Sequence, residues 1–397
     1  MPFHPVERAL AEARQFARAL ALALTGGSWA RAIFRIALLT GTAIAVAVLY
    51  AWTGFFSLSA SSGHSALTYW FLDFGKRNVV ETMSTGIDPP SLDPPFLNDP
   101  LLVMKGAGHY AGGCESCHGA PGKPRSLITQ RMSPEPPPLP AKLHRWNDAE
   151  LFWIVKHGIK FTGMPAWPSI QRDDEVWAMV SFLRAMQEMN ARDYEHLAYG
   201  GRVAADGRPV KLPMEDESLA AVIADCARCH GRDGMGRGAG AFPRLAQQQE
   251  DYLFESLRAF ATGARASGMM QAVATTLDAT TMRALARHYA SLPLGATNDA
   301  VHADVERGRD IANGVAERGI PACVHCHGPS GEERNPLYPQ LAGQHAAYIE
   351  LQLRLFKDGQ RGGTEYAGIM HAVTRRMTPE DMRALADYYA SLRPEAE

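Results

Sequence analysis

The chain has 397 residues, 46% of them hydrophobic and 21% charged, with a formal net charge of −2. Two or three domains are the starting expectation at that length, and the apolar fraction is that of packed cores rather than of a disordered or fibrous chain. No basic patch stands out, which argues against nucleic acid as a partner.

Residues 1–31 open the chain. The first 35 residues hold five arginines (Arg8, Arg14, Arg18, Arg31 and Arg35) against Glu7 and Glu12, a net +3. The remainder carries 35 basic and 40 acidic residues, a net −5. The early stretch "VERALAEARQFARALALAL" has helical character and suits a membrane surface, a partner subunit or solvent. Residues 32–58 read as a transmembrane anchor. "IALLTGTAIAVAVLYAWTGFFSL", Ile36 to Leu58, is uncharged and long enough to span a bilayer as a helix. Tyr50, Trp52, Phe55 and Phe56 give it an aromatic end. Arginines lie before it and few follow closely. The positive-inside rule therefore puts the N-terminus in the cytoplasm and the rest on the periplasmic side of a bacterial inner membrane. A cleaved signal peptide is the alternative, but its apolar region would be shorter and "SLSASS" is a weak cleavage site.

Residues 59–100 read as a linker ending in the Pro-rich "DPPSLDPPFLNDP". Residues 101–190 form a first module. It holds "CESCHG" at Cys114 to Gly119, then "SPEPPPLP", then "AELFWIVKHGIKFTGMPAW". A terminal helix near Asp173 to Glu188 closes it, with Val176, Val180 and Leu183 at helical spacing. A second linker covers 191–217. The second module, 218–296, holds "CARCHG" at Cys226 to Gly231. The third, 297–397, holds "CVHCHG" at Cys323 to Gly328.

The motif itself carries chemistry. If Cys323 starts a helical turn, Cys326 at i+3 and His327 at i+4 share its face, while His325 points away. Two thiols and one imidazole on one face suit covalent attachment of haem c. The thiols form thioethers with its vinyl groups and the imidazole reaches the iron. Zinc would draw four ligands from paired clusters, and a redox dithiol would need no histidine. Three copies (Cys114, Cys117, His118; Cys226, Cys229, His230; Cys323, Cys326, His327) use all six cysteines. The expectation is three haems c.

Modules two and three are duplicates. "FPRLAQQQEDYLFESLRAFATGAR" from Phe242 matches "YPQLAGQHAAYIELQLRLFKDGQR" from Tyr338 at Pro, Leu, Tyr, Leu, Phe, Gly and Arg. "MMQAVATTLDATTMRALARHYASL" then matches "IMHAVTRRMTPEDMRALADYYASL". In the last copy Thr378 is an N-cap, Pro379 takes N1 and Asp381 takes N3. Met382, Leu385, Ala386 and Tyr389 fall on one face for a core.

With these features the chain resembles a membrane-anchored, tri-haem bacterial cytochrome c. Its C-terminal half resembles tandem di-haem class I periplasmic cytochromes, through "CHG…P-x-L-A…Y…L…F…G-x-R…M". The first module, with "HGIKFTGMPAW", is similar to single-haem domains in cytochrome c subunits of oxidases and dehydrogenases. Module two departs in lacking the Gly-containing helix seen as "ERGRDIA" in module three and "KGAGHYA" in module one. The resemblance implies an all-α fold, one transmembrane helix followed by three class I haem domains. It also implies a methionine as sixth iron ligand in each module, which raises the potential and closes the iron to small ligands. Met164 in "TGMPAW" is the first, with His157 as its rival. Met270 and Met370 are the others, since only they match one another outside the terminal helices, each followed by x-Ala-Val. The prolines after each motif (Pro137, Pro243, Pro339) would set a backbone carbonyl against the proximal imidazole.

No dinucleotide loop, acid/base pair or nucleophile constellation appears. The expected function is electron transfer on the periplasmic side, without a catalytic site of its own. The redox partners would be an oxidase, a quinol-oxidising complex or a dehydrogenase. Service as the cytochrome subunit of a periplasmic dehydrogenase or oxidase complex is the alternative. A haem peroxidase would need an iron lacking its sixth ligand, and every module offers a methionine.

Overall fold

The computed structural model describes residues 14–15, 18–21, 27–55, 57–90, 97, 99–139, 141–200, 217–238, 240–293, 295, 304–329 and 334–393. Most of the expected N-terminal surface helix, most of the Pro-rich run before residue 100, and 201–216 of the second linker lie outside them. The chain divides into two compact units, Met1–Gly63 and His64–Glu397.

The first unit contains a helix Ser28–Trp52, of which Trp29–Trp52 is long and apolar enough to cross a membrane, and no residue of that window is buried. It starts earlier than the uncharged run and takes in Arg31 and Arg35. It also stops short of Leu58. The Thr53 hydroxyl donates to the Tyr50 carbonyl at 2.7 Å, and Gly54 turns to φ +73°, so the helical hydrogen bonds end there.

The second unit is helical. The stretch expected as a linker over 59–100 contains a helix, Ala66–Met83, started by Ser65, whose hydroxyl accepts from the Thr68 amide at 3.1 Å. Its Val80 is buried, whereas Leu67, Trp70, Phe71 and Phe74 are exposed. In the first haem-motif region, helix Pro100–Gly113 is capped by Asp99, whose carboxylate accepts from the Leu101 amide, with Pro100 at N1. It crosses helix Asp173–Ala185 at Gly106. A Cβ there would meet the Ala178 carbonyl oxygen at 2.4 Å and the Phe182 Cβ at 2.5 Å, so only glycine allows the approach. Val176, Val180 and Leu183 are buried as their spacing predicts. The rings of Tyr110, Phe182 and Tyr194 complete this core, 5.2–6.2 Å apart.

The same crossing recurs near the C-terminus. Helix Val305–Ala312 meets helix Pro379–Ser391 at Gly308, where a Cβ would lie 2.0 Å from the Ala384 carbonyl oxygen. The capping box is formed as expected: the Asp381 amide donates to the Thr378 hydroxyl and the Thr378 amide to the Asp381 carboxylate. Met382, Leu385, Ala386 and Tyr389 are all core. Between these lies the group without the glycine. There helix Glu217–His230 runs straight into its motif, and a smaller apolar cluster forms around Leu253, Ala286 and Tyr289.

The two duplicated groups meet reciprocally. The Gln344 side chain bonds the Arg244 amide and carbonyl, both at 2.9 Å. The Gln248 side chain bonds the Gln340 carbonyl at 3.0 Å and amide at 2.9 Å. Gln248 and Gln344 are equivalent in the repeat, as are Arg244 and Gln340, so the junction has a local pseudo-twofold.

Candidate haem sites

Each motif forms a helical turn. Cys114 and Cys323 are the N-caps of the short helices Glu115–His118 and Val324–His327, and the amides of His118 and His327 donate to the carbonyls of Cys114 and Cys323, each at 2.9 Å. Cys226, Cys229 and His230 occupy the last turn of helix Glu217–His230. In all three copies the thiols and the histidine thus have the i, i+3, i+4 spacing of one helical face. His325 is exposed. The glycine after each histidine, Gly119, Gly231 and Gly328, adopts φ of +69°, +78° and +72° and turns the chain away.

Each histidine is oriented the same way. The Nδ1 atoms of His118, His230 and His327 lie 2.9, 3.1 and 2.9 Å from the carbonyl oxygens of Pro137, Pro243 and Pro339. A carbonyl only accepts, so Nδ1 carries the proton and Nε2 keeps its lone pair for a metal. Burial pulls each imidazole below its ordinary 6.5, against the opposing effect of that hydrogen bond, and so favours the neutral, ligating form. Burial also pushes the thiols of Cys114 and Cys226 up to about 12 and that of Cys323 up to about 11. A reactive dithiol needs the opposite shift. Among the described residues no three His, Cys, Asp or Glu side chains converge on a metal position.

Surrounding helices hold the motifs in place. The Glu115 carboxylate accepts from the hydroxyls of Tyr194 and Tyr199, both at 2.5 Å, and pairs with Lys123 at 3.4 Å. Tyr194 and Tyr199 belong to helix Ala191–Tyr199, in a stretch that reads as linker in the sequence. Arg237 donates to the His196 carbonyl at 2.7 Å and also to the Arg228 carbonyl within the second motif.

The methionines fall into two sets. Met282, Met377 and Met382 are buried in the apolar cores. The Met235 sulfur accepts from the Gly295 amide at 3.3 Å, and Met269 packs against the first core. Met164, Met270 and Met370 are half-buried: Met164 in the loop after helix Asp148–His157, Met270 at the start of helix Met270–Ala274, Met370 within helix Ala367–Thr374. Of the rivals, His157 ends its helix exposed against Trp153, and His371 donates from Nε2 to the Arg361 carbonyl at 2.6 Å.

Two buried guanidiniums sit where the duplicated groups meet. Arg265 donates to the hydroxyls of Ser256 at 3.1 Å and Tyr348 at 2.8 Å, and Arg361 to the Tyr252 hydroxyl at 3.1 Å. Burial raises the Tyr252 phenol, but the charges of Arg265 and Arg361 outweigh it and hold it at about 8. Neither arginine pairs with a carboxylate among the described residues. Buried cations without counter-charges are costly, and the two carboxylates of a haem are the chemistry that would offset them. Both arginines stand at matched positions of the repeat, and that was the sequence signal for them.

Several known proteins are similar in sequence to parts of the chain. The family described as cytochrome c matches residues 218–292 and 305–393, and the family described as cytochrome c oxidase, cbb3-type, subunit III matches residues 102–183. A thiosulfate dehydrogenase electron acceptor from Thiomonas intermedia is 43% identical over 171 residues, 42% of this chain and 78% of that protein. A cytochrome c4 from Pseudomonas aeruginosa is 33% identical over 178 residues, 43% of this chain and 86% of its own length. Among solved structures, a thiosulfate dehydrogenase from Marichromatium purpuratum is 37% identical with a TM-score of 0.39, covering 42% of this chain and 36% of that one. The chain belongs to the cytochrome c family, as a multi-haem electron-transfer cytochrome that binds haem c covalently.

Proposed function

We propose that the chain carries three haems c, one at each motif, and passes electrons among them on the periplasmic side of the inner membrane, to which Trp29–Trp52 anchors it. Cys114 and Cys117, Cys226 and Cys229, and Cys323 and Cys326 form the thioethers. His118, His230 and His327 ligate from one side, and Met164, Met270 and Met370 from the other. Haem c supplies one-electron chemistry at its iron. The protein's part is to keep each imidazole neutral and aimed, and to offer Arg265 and Arg361 to the haem carboxylates. The observation that carries this reading is the histidine–proline carbonyl bond made three times over. The partners are then an electron donor, either a quinol-oxidising complex or a dehydrogenase, and a terminal oxidase as acceptor.

The name of the Thiomonas relative favours a second reading, in which this chain accepts electrons from a periplasmic dehydrogenase as its dedicated partner or subunit. Intact mass of the denatured, acid–acetone-extracted protein tests the first reading. Three haem masses are expected, and fewer would remove at least one motif from the assignment. Purification from native membranes with its redox partner separates the two readings.

A further inference from the structure

Glu175 lies in the first turn of helix Asp173–Ala185 and is 2% exposed. Nothing in the haem motifs calls for it, and a carboxylate so buried must have its oxygens satisfied. They are satisfied by two different loops. Oε2 accepts from the Trp167 indole Nε1 at 3.2 Å and from the Gly268 amide at 2.7 Å. Oε1 accepts from the Ser267 hydroxyl at 2.6 Å and pairs with Arg172 Nη2 at 3.1 Å. Trp167 comes three residues after Met164, and Ser267 and Gly268 come shortly before Met270. The Ser267 hydroxyl in turn accepts from the Met270 amide at 3.1 Å.

The two loops are close as well as bonded. A Cβ on Gly268 would lie 2.1 Å from Trp167 Nε1, so the backbone of one loop rests on the indole of the other. Arg172 closes the arrangement by donating to the Ala266 carbonyl at 2.6 Å, while Asp174 grips its guanidinium at 2.7 and 2.8 Å. Burial opposes the charge on Arg172, but Asp174 and Glu175 outweigh it and raise its pKa, so it stays cationic.

We propose that Glu175 is a positioning residue shared by the first two haem sites. One carboxylate fixes the loops that bring Met164 and Met270 to their irons, so loss of that carboxylate releases both methionine–iron bonds and spares the third. This rests on the methionine assignment above. Hydrogen bonds to a charged acceptor are the strong kind, and a ligand loop loses its place when such a support goes.

The experiment is carbon monoxide binding to the reduced, fully haem-loaded chain, together with the methionine–iron charge-transfer band of the oxidised chain. Glu175→Gln keeps the shape and removes the charge. It should make two of the three haems reactive to carbon monoxide, where the parent shows none. Trp167→Phe cuts only the first arm and should open the first haem. Ser267→Ala cuts only the second arm and should open the second. Met164→Ala and Met270→Ala are made in parallel. If these two bind no carbon monoxide, the ligand assignment fails and takes the shared role with it. If they do bind and Glu175→Gln does not, the shared role alone fails. Equal opening of all three haems in Glu175→Gln would also overturn it, because general loosening has no reason to spare the third. Should Glu175→Gln not fold, the two single-arm variants decide by whether each opens its own haem.

Discussion

The proline carbonyl facing each motif histidine does at the level of one atom what the motif spacing cannot do. Spacing puts an imidazole on the right face, and the carbonyl decides which nitrogen is free. On the opposite side the choice among sulfurs is a matter of burial: Met377 and Met382 are each 1% exposed and locked in the third core, while Met370 is not. Met370→Ala should lower the potential of one haem by on the order of 0.1 V, within the ~0.8 V that axial ligands span. It should open that haem to carbon monoxide and leave the others unchanged. Redox titration checks this, and a response from Met377→Ala in its place would move the assignment.

Asp381 makes a second prediction. The hydrogen bond from Arg318 first, then the Thr378 amide and Arg307, hold its carboxyl well below the ordinary 3.8 against the effect of burial. A depressed carboxyl stabilises the fold above its unfolded value and loses that contribution as pH falls through the folded one. Thermal unfolding followed by circular dichroism should therefore show stability falling below about pH 4. Asp381→Asn should cost about 2 kcal/mol at neutral pH, with its deficit against the parent shrinking as the pH is lowered.

At the scale of helices, the paired crossings at Gly106 and Gly308 set the frame of the first and third groups. Gly308→Ala drives a methyl into the Ala384 carbonyl and should cost about 3 kcal/mol, read as a lower urea midpoint. Much of this level was legible in the sequence. The glycines stand in "KGAGHYA" and "ERGRDIA", and the capping box is spelled out from Thr378 to Asp381. Helix Ala66–Met83 leaves little sign in the sequence because its apolar residues come in a run ("YWFLDF") without a clear period, beside a Pro-rich stretch. Helix Ala191–Tyr199 was missed for another reason: its worth lies in Tyr194 and Tyr199 reaching Glu115, a contact between distant positions. Glu175 was silent on the same ground. A single acidic residue at a helix start reads as dipole compensation, and only packing shows that it serves two loops.

For the molecule as a whole, the prediction is one of sidedness. Protease added to intact spheroplasts should remove the haem-bearing unit and spare the membrane segment around Trp29–Trp52. A mature N-terminus near Ser61 would instead show that the segment is removed. Either result is read by immunoblot against the two ends of the chain and by N-terminal sequencing.

Gly108 of helix Pro100–Gly113 lies against the second motif, close enough that a Cβ on it would be 3.2 Å from the Cys229 sulfur. At the equivalent position of the third motif, Cys326 is exposed. The enclosure extends to the histidines, with His230 buried where His118 and His327 are only half-buried. On the proposed assignment of one haem to each motif, the middle site would be an internal node and the outer two terminals. A partner docked at either end would exchange charge without touching the centre, whose potential would then act as the series element of the wire.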